Sequence, residues 1–538
     1  MQTYTSCENT PSCRRSVALG LFDGLHPAHR RVILAATMGV DDDTSVAVYT
    51  FDPTTITTKS ISGLLCDEQE EEFLLKQMGV DELYRVDFAT VQHLSPEDFV
   101  HTVLKEQLGA VKVSCGYNYR FGYRGRGDTT LLQQLCAADG IEVTVVPEVD
   151  IGGIPVSSTA IRNYIAEGDM LMARRLLGRP YCLHTPVVEG QHLGNKLGFP
   201  TINQALPVGF AHPRFGVYAS CVQWDGETYP AVTNIGVRPT VGTDAPLAET
   251  YIIGFSGNLY GESPRVYPLT YLRPEQKFDS LAALTAQIEQ DAAATLALFD
   301  EESADGIRAV FFDFDDTLDN RDAAFRSGLS AFLTYYYPSL TAEEMLARRE
   351  EMFYFQRGHY GEIIYYRDML AHFLEVWPPE IPTDVPTAYR RMIRAFAAAG
   401  QPHPDVYDTL TALREQGYLV GIITNGSDRT QCTKIDHTNL RLYADLVVLA
   451  GEEGIQKPDV RLFRMAAARL GLPTRACMFV GDHPQNDLEG ARAAGFTPIR
   501  KVWDFDPDHP IHRVPVAEDI PSIHHVSQVL TLLDDTPT

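Results

Sequence analysis

Hydrophobic and polar positions follow two rhythms along this chain. Up to about residue 180, short apolar runs alternate with stretches whose apolar positions recur every three to four residues. SVALGLFD is a run ending in a Gly/Asp turn, HPAHRRVILAATMG follows with helical spacing, and TSVAVYTFDP is a second run ending at proline. EEEFLLKQMGV is helical, ELYRVDFA a run, SPEDFVHTVLKEQLG a helix capped by Ser95 and Pro96, and AVKVSCGYNYRFG and IEVTVVPEV are further runs. Strand–helix alternation of this kind predicts a parallel sheet with helices on both faces.

From about 181 to 300 the texture changes. HTPVVEG, FGVYASCVQW, ETYPAVTNIG, ETYIIGF and RVYPLTYLR are short β-like runs among Gly and Pro turns, closed by one helix, SLAALTAQIEQDAAATLALF. That pattern predicts a small β-barrel. A strand, IRAVFFDF, opens a third segment. A long helical stretch rich in Tyr, Phe and Arg fills about 321–400, and apolar runs then resume in YLVGIITNG, DLVVLAGEEG, ACMFVGDH and GFTPIRKVW. An insertion after the first strand is where a helical cap would sit. The aromatics of FYFQRGHYGEIIYYRDMLAHF read first as that cap's own core at helical spacing, and second as a stacking surface for a flavin ring. The expected division is a frayed lead-in at 1–15, domains at 16–181 and 182–300, a linker at 301–306, and a third domain at 307–538.

Composition fits this reading. A chain of 538 residues, 44% apolar and 22% charged, has material for several cores. Its net charge of −26 argues against nucleic acid and anionic membrane surfaces as partners. Small molecules are the expected partners, and the oligomeric state is left open. Nine scattered cysteines with no C-x-x-C argue for reduced thiols rather than a disulfide framework or zinc site. No apolar run approaches the ~18 residues of a membrane span, and the first residues lack the apolar core of a signal peptide, so a cytoplasmic protein is expected.

Candidate chemistry lies in all three segments. GLFDGLHPAHRR sets His26 and His29 on the first turn of a helix that follows a strand, where free N–H groups and the dipole favour anions. Two imidazoles there could stabilise a transferring phosphoryl or nucleotidyl group. PVSSTAIRNYIAEGD adds Ser158, Thr159 and Arg162, which can hold a triphosphate. In the second segment, VVEGQHLGNKLGFPTINQ joins a glycine-rich loop, with Gly190 and Gly194, to Thr201 and Asn203 at alternate positions. Backbone N–H groups of such a loop can approach phosphates, and the two neutral oxygens suit one Mg²⁺ that keeps several waters. In the third segment, D-F-D-D-T places Asp313 at a strand end, suited to attack phosphorus, and Asp315 two residues on, suited to move the proton. IITNG offers Thr424 and Asn425, QKPD offers Lys457, and MFVGDHPQND offers Asp482 and Asp487. The last two, with Asp313 and Asp315, are candidate Mg²⁺ ligands.

GLFDGLHPAH, TFDP, GYNYRFGYRGRGD, VSSTAIR and LLGRPY occur in that order. Segment one thus resembles the FMN adenylyltransferase module of the bacterial bifunctional riboflavin kinase/FAD synthetase family. GFPTIN, TNIGVRPT, ETYIIGFSGNLYGE and LRPEQKFDS make segment two resemble that family's riboflavin kinase barrel. Segment three resembles haloacid-dehalogenase-like phosphatases with a helical cap. The resemblance implies a multidomain fold: an α/β nucleotidyltransferase (Rossmann-like) domain, a small β-barrel riboflavin kinase domain and an α/β haloacid-dehalogenase-like domain with a helical cap. It implies ATP, riboflavin, FMN and FAD as substrates or products, with Mg²⁺. It further implies Glu249 as general base, Arg273 in a loop near the flavin, and Arg126 at the nucleotide site. Leu21 and Ala28 stand where the family usually has Asn and Gly in the nucleotide turn. Asn258 and Val241 are smaller departures. A second reading makes segment one a non-catalytic nucleotide-binding module. For the phosphatase, the resemblance leaves a pyrimidine riboflavin precursor, FMN or a broad range of small phosphates open.

Overall fold

Three six-stranded sheets organise the chain. The computed structural model describes residues 1–8, 10–41, 43–56, 63–189, 198–237, 246–302, 305–358, 366–426, 428–503 and 514–534. The first sheet is parallel throughout. Its order is Gln2–Tyr4, Glu82–Val86, Thr44–Phe51, Arg14–Leu19, Ala110–Gly116 and Glu142–Val146. Val17, Ala18, Val46 and Val48 are wholly buried, as expected of strands covered on both faces. Strand order reverses beside Arg14–Leu19, and the helix Pro27–Thr37, which carries His29, follows that strand. A reversal of order opens a crevice at the strands' carboxyl ends, the usual place for a ligand in such sheets.

The expected frayed lead-in is ordered, because Gln2–Tyr4 pairs with Glu82–Tyr84 as an edge strand and Tyr4 stacks on Tyr84 at 4.9 Å. Ladder hydrogen bonds and a ring contact hold it where composition alone suggested fraying.

The second sheet is antiparallel, in the order Arg265–Arg273, Gly216–Trp224, Glu227–Val237, Pro246–Ile252, Thr201–Ala205 and Val187–Val188. Leu183, just before the last of these, exchanges hydrogen bonds of 2.8 and 2.9 Å with Val266 on the first. That exchange closes the sheet into a barrel. The helix Leu281–Leu298 packs outside it.

The third sheet is parallel, in the order Leu446–Leu449, Leu419–Thr424, Ala309–Phe312, Cys477–Gly481, Thr497–Lys501 and Ser522–Ile523. Helices Arg321–Tyr336, Ala342–Gly358, Tyr366–Val376 and Val385–Ala398 form the inserted cap. Phe325, Phe332, Phe353, Phe373 and Phe396 bury one another there, so these aromatics serve as the cap's core. No helix among the described residues is long and apolar enough to cross a membrane.

Buried charge ties the third domain to the other two. Arg30 of the first domain donates to Asp436 at 2.8 Å, with both side chains about 5% exposed. Arg175 pairs with the fully buried Asp445. Arg469 donates to Gln223 and Tyr267 of the barrel while pairing with Glu453 at 2.8 Å. Breaking a pair of this kind costs roughly 3–5 kcal/mol, because the surviving charge is left buried. The expected linker is anchored too: Glu301 accepts from the backbone N–H and hydroxyl of Thr474, each at 2.8 Å.

Candidate active sites

In the third sheet the strand Ala309–Phe312 ends just before Asp313, and its neighbour Cys477–Gly481 ends just before Asp482. These carboxylates therefore meet at one end of the sheet. Asp313, Asp482 and Asp487 are buried, each with an oxygen within 4.8 Å of the others. Lys457 donates to Asp313 and Asp487, both at 2.6 Å. Burial drives Asp313 up to about 7, aided by Asp487 and opposed by Lys457. Asp482 is held well above its usual range by burial, then by Asp487, Asp316 and Asp313. One ammonium against three crowded carboxylates leaves a negative, hard-oxygen pocket, a donor set that fits Mg²⁺.

Asp315 lies apart from that cluster, contrary to its expected place among the carboxylate ligands. Its carboxylate is held by Lys434 and by Gln431, the latter at 2.8 Å. Burial alone would raise its pKa, but the charges of Lys434 and Arg321 outweigh burial and hold it below the usual carboxylate range. Gln431 also donates to the Thr424 hydroxyl at 2.8 Å. Asn425 and Lys457 are locked reciprocally: the Asn425 side-chain amide donates to the Lys457 carbonyl at 3.0 Å, and the Lys457 N–H donates back at 2.9 Å. Gln431 and Lys434 were missed in the sequence. Their signal was the spacing of three residues on the helix after IITNG, which places both on one face.

In the first domain His26 caps the helix Pro27–Thr37, accepting from the His29 N–H at 3.3 Å, and the two rings stack at 3.6 Å between centroids. Burial holds His26 well below the usual histidine range, with help from His29 and Arg179. Burial and Arg162 take His29 down to about 3. Both rings are therefore neutral near pH 7. Phe22, Gly24 and Leu25 all adopt positive φ in the preceding turn. For Phe22 and Leu25 that is a strained conformation of the sort that gathers at functional sites.

Arg162 donates to the Gly63 carbonyl at 2.6 Å and pairs with Asp23, whose carbonyl accepts from Ser158 at 3.0 Å. Arg179, not singled out in the sequence, donates to the Gly24 carbonyl at 2.6 Å from within LLGRPY. Thr159 is exposed beside Ser158 at the helix start. Arg126 is exposed on a separate turn, packed over Tyr123, and no described hydrogen bond brings it to the histidines. Leu21 is exposed at the turn while Ala28 is half-buried on the helix.

In the barrel, Glu249 pairs in register with Asn203 on one side and Asn234 on the other, while Thr201 pairs with Tyr251. Directly opposed residues share a face, so Thr201, Asn203 and Glu249 present to one side of the sheet. Arg273 departs from expectation. It is the last residue of a strand rather than part of a loop, and its guanidinium clamps the Asp291 carboxylate at 2.7–3.2 Å. Its hydrogen-bonding fork is thus engaged with a buried carboxylate. Gly190, Gly194 and Val241 lie outside the described residues.

Known protein families match each of the three parts of the chain. The FAD synthetase family model matches residues 9–160, the riboflavin kinase model 177–299, and the haloacid dehalogenase-like hydrolase model 307–495. A bifunctional riboflavin kinase/FMN adenylyltransferase of Listeria monocytogenes is 36% identical over 292 residues, spanning 53% of this chain and 92% of the relative. One from Pseudomonas fluorescens is 34% identical over 296 residues, spanning 54% and 94%. A solved HAD-hydrolase of Bacillus subtilis, described as bound to magnesium, aligns with 43% of this chain and all of its own at 20% identity and a TM-score of 0.36. The chain therefore belongs to the bifunctional riboflavin kinase/FMN adenylyltransferase family, and carries a haloacid dehalogenase-like hydrolase domain after the two family modules.

Proposed function

We propose that the chain phosphorylates riboflavin to FMN on the barrel (182–300), adenylylates FMN to FAD on the first domain (16–181), and hydrolyses a small phosphate ester on the third domain (307–538). The register that sets Glu249 between Asn203 and Asn234 supports the kinase reading most directly. Glu249 takes the proton from the riboflavin 5′-hydroxyl as that oxygen attacks the ATP γ-phosphorus. Thr201 and Asn203 would hold Mg·ATP, with Gly190 and Gly194 as further ATP-binding residues, and ADP leaves.

On the first domain, the neutral His26 and His29 donate to the α-phosphate oxygens as the FMN phosphate attacks and pyrophosphate leaves. Ser158, Thr159 and Arg162 hold the triphosphate, and Arg126 would close over it. On the third domain, Asp313 attacks phosphorus. Asp315, ionised at rest beside Lys434, takes up a proton from solvent and passes it to the leaving ester oxygen, then takes one from the water that cleaves the aspartyl-phosphate. Thr424, Asn425 and Lys457 hold the phosphoryl oxygens. Mg²⁺ held by Asp313, Asp482 and Asp487 would offset their charge as the phosphoryl group approaches.

The substrate we favour for the phosphatase is the pyrimidine intermediate 5-amino-6-(5-phosphoribitylamino)uracil, because hydrolysis of FMN would undo the kinase step on the same chain. The test follows riboflavin, FMN and FAD by chromatography after the chain is mixed with riboflavin, ATP and Mg²⁺, beside Asp313→Asn. Superimposable progress curves, with the pyrimidine phosphate hydrolysed only by the parent, support the reading. Extra FMN or FAD in the variant makes FMN the substrate instead. FMN without FAD in both proteins leaves the first domain as a nucleotide-binding module.

A further inference from the structure

In the barrel, the row that holds Glu249 crosses three strands, with Asn203, Glu249 and Asn234 opposed in register. Asn234 and Gly236, two apart on the strand Glu227–Val237, share a face. A second carboxylate lies over that face. Glu275 stands two residues past the strand Arg265–Arg273, and its Oε1 accepts from the Asn234 side-chain amide at 3.2 Å. A Cβ placed on Gly236 would come within 2.6 Å of the Glu275 Oε2 and closer still to Oε1. Gly236 is not among the glycines with positive φ, so space rather than backbone conformation demands a glycine there.

The segment that carries Glu275 is pinned on both sides. Arg273 grips Asp291 of the helix Leu281–Leu298 at 2.7–3.2 Å and donates to the Pro274 carbonyl at 3.1 Å. Gln276 donates to Gln287 of the same helix at 3.2 Å. Glu275 is therefore held in place although it is exposed. A carboxylate can only accept, so it takes the Nδ2 side of the Asn234 amide and settles which way that amide faces. The amide it settles stands directly opposite Glu249.

Resting on the kinase reading above, we propose that Glu275 is a positioning residue for phosphoryl transfer to riboflavin. It orients the Asn234 amide, and Asn234 in turn keeps the Glu249 carboxylate in line with the riboflavin 5′-hydroxyl. The Glu275–Asn234 bond is in place before the substrate arrives, so its loss falls on the rate of transfer rather than on the hold on riboflavin. Arg273 serves the same end one step further back, by fixing the segment to the helix.

Initial rates of FMN plus FAD formation from riboflavin and Mg·ATP read this role, in the full chain carrying Asp313→Asn so that ester hydrolysis does not compete. Glu275→Ala deletes the carboxylate, and Gly236→Ala displaces it from Asn234. Each should lower kcat about tenfold while the riboflavin KM stays within about twofold. The two together should fall no further than either alone, because both remove one bond. Glu275→Gln keeps an acceptor oxygen at the same reach and should recover most of the rate. Unchanged rates in Glu275→Ala overturn the proposal. So does a raised KM with kcat unchanged, which would make Glu275 a binding group for riboflavin, and so does a Glu275→Gln variant as slow as Glu275→Ala. A starting protein that forms no FMN overturns the kinase reading itself, and this role with it.

Discussion

Replacing Lys434 with methionine would leave the Asp315 carboxylate with Gln431 as its remaining close partner on that helix. Lys434 is fully buried, with its ammonium 4.9 Å from the Phe314 ring centroid and 4.7 Å from that of Phe396. It opposes the burial that would otherwise raise the Asp315 pKa. In Lys434→Met that pKa should rise, and the limb of the pH–rate profile set by Asp315 should move to higher pH, measured with p-nitrophenyl phosphate. An unmoved limb would mean that Lys434 only packs. Asp313 gives a prediction of the other kind. Its folded pKa of about 7 lies above the ~3.9 of an unfolded Asp, so its contribution to stability is complete below about pH 4 and is lost as pH rises through 7. An amide never ionises, so Asp313→Asn should gain in melting temperature over the parent as pH goes from 4 to 7 in metal-free buffer. A constant difference across that range contradicts the assignment.

At the scale of elements, the Arg30–Asp436 pair joins two helices from different domains, with the Cys432 thiol 3.2 Å from the Arg30 guanidinium. Arg30→Ala leaves Asp436 with Arg441 as its remaining close cation and should loosen this seam. A thiol reagent should then modify Cys432 at least several-fold faster than in the parent, while the far-UV spectrum stays the same; equal rates would show that the seam holds without the pair. Most elements were legible from apolar runs, since IRAVFFDF, IITNG and ACMFVGDH become the strands that carry Asp313, Thr424 and Asp482. Their order in the sheet, however, is a tertiary property that local spacing does not encode. The helix Asp428–His437 carries no apolar period in the sequence, because DRTQCTKIDH is polar. Its buried positions hold Gln431, Lys434 and Asp436 beside Cys432 and Ile435, so polar and charged groups interrupt what would otherwise be an apolar stripe. Arg273 was misplaced for a related reason: nothing local foretells that Asp291, eighteen residues on, will claim its guanidinium.

At the scale of the whole molecule, the three domains share enough buried charge that they are not separable without loss. A fragment of 307–538 would expose Asp445 without Arg175 and leave Glu453 with Arg469 but without Arg265. Its melting temperature should fall below that of the third domain in the full chain, and it should bind a hydrophobic dye that the full chain does not. A fragment as stable as the parent would make the interface a loose one.

The helix Asp428–His437 holds Asp315 through Gln431 and Lys434 and, through Asp436, meets the first-domain helix that carries His29. A substitution anywhere on it is therefore inherited by two enzymes at once. Drift that would be harmless in a free-standing hydrolase is filtered here by flavin synthesis as well. The longer the two have been joined, the fewer routes lead back to separate genes.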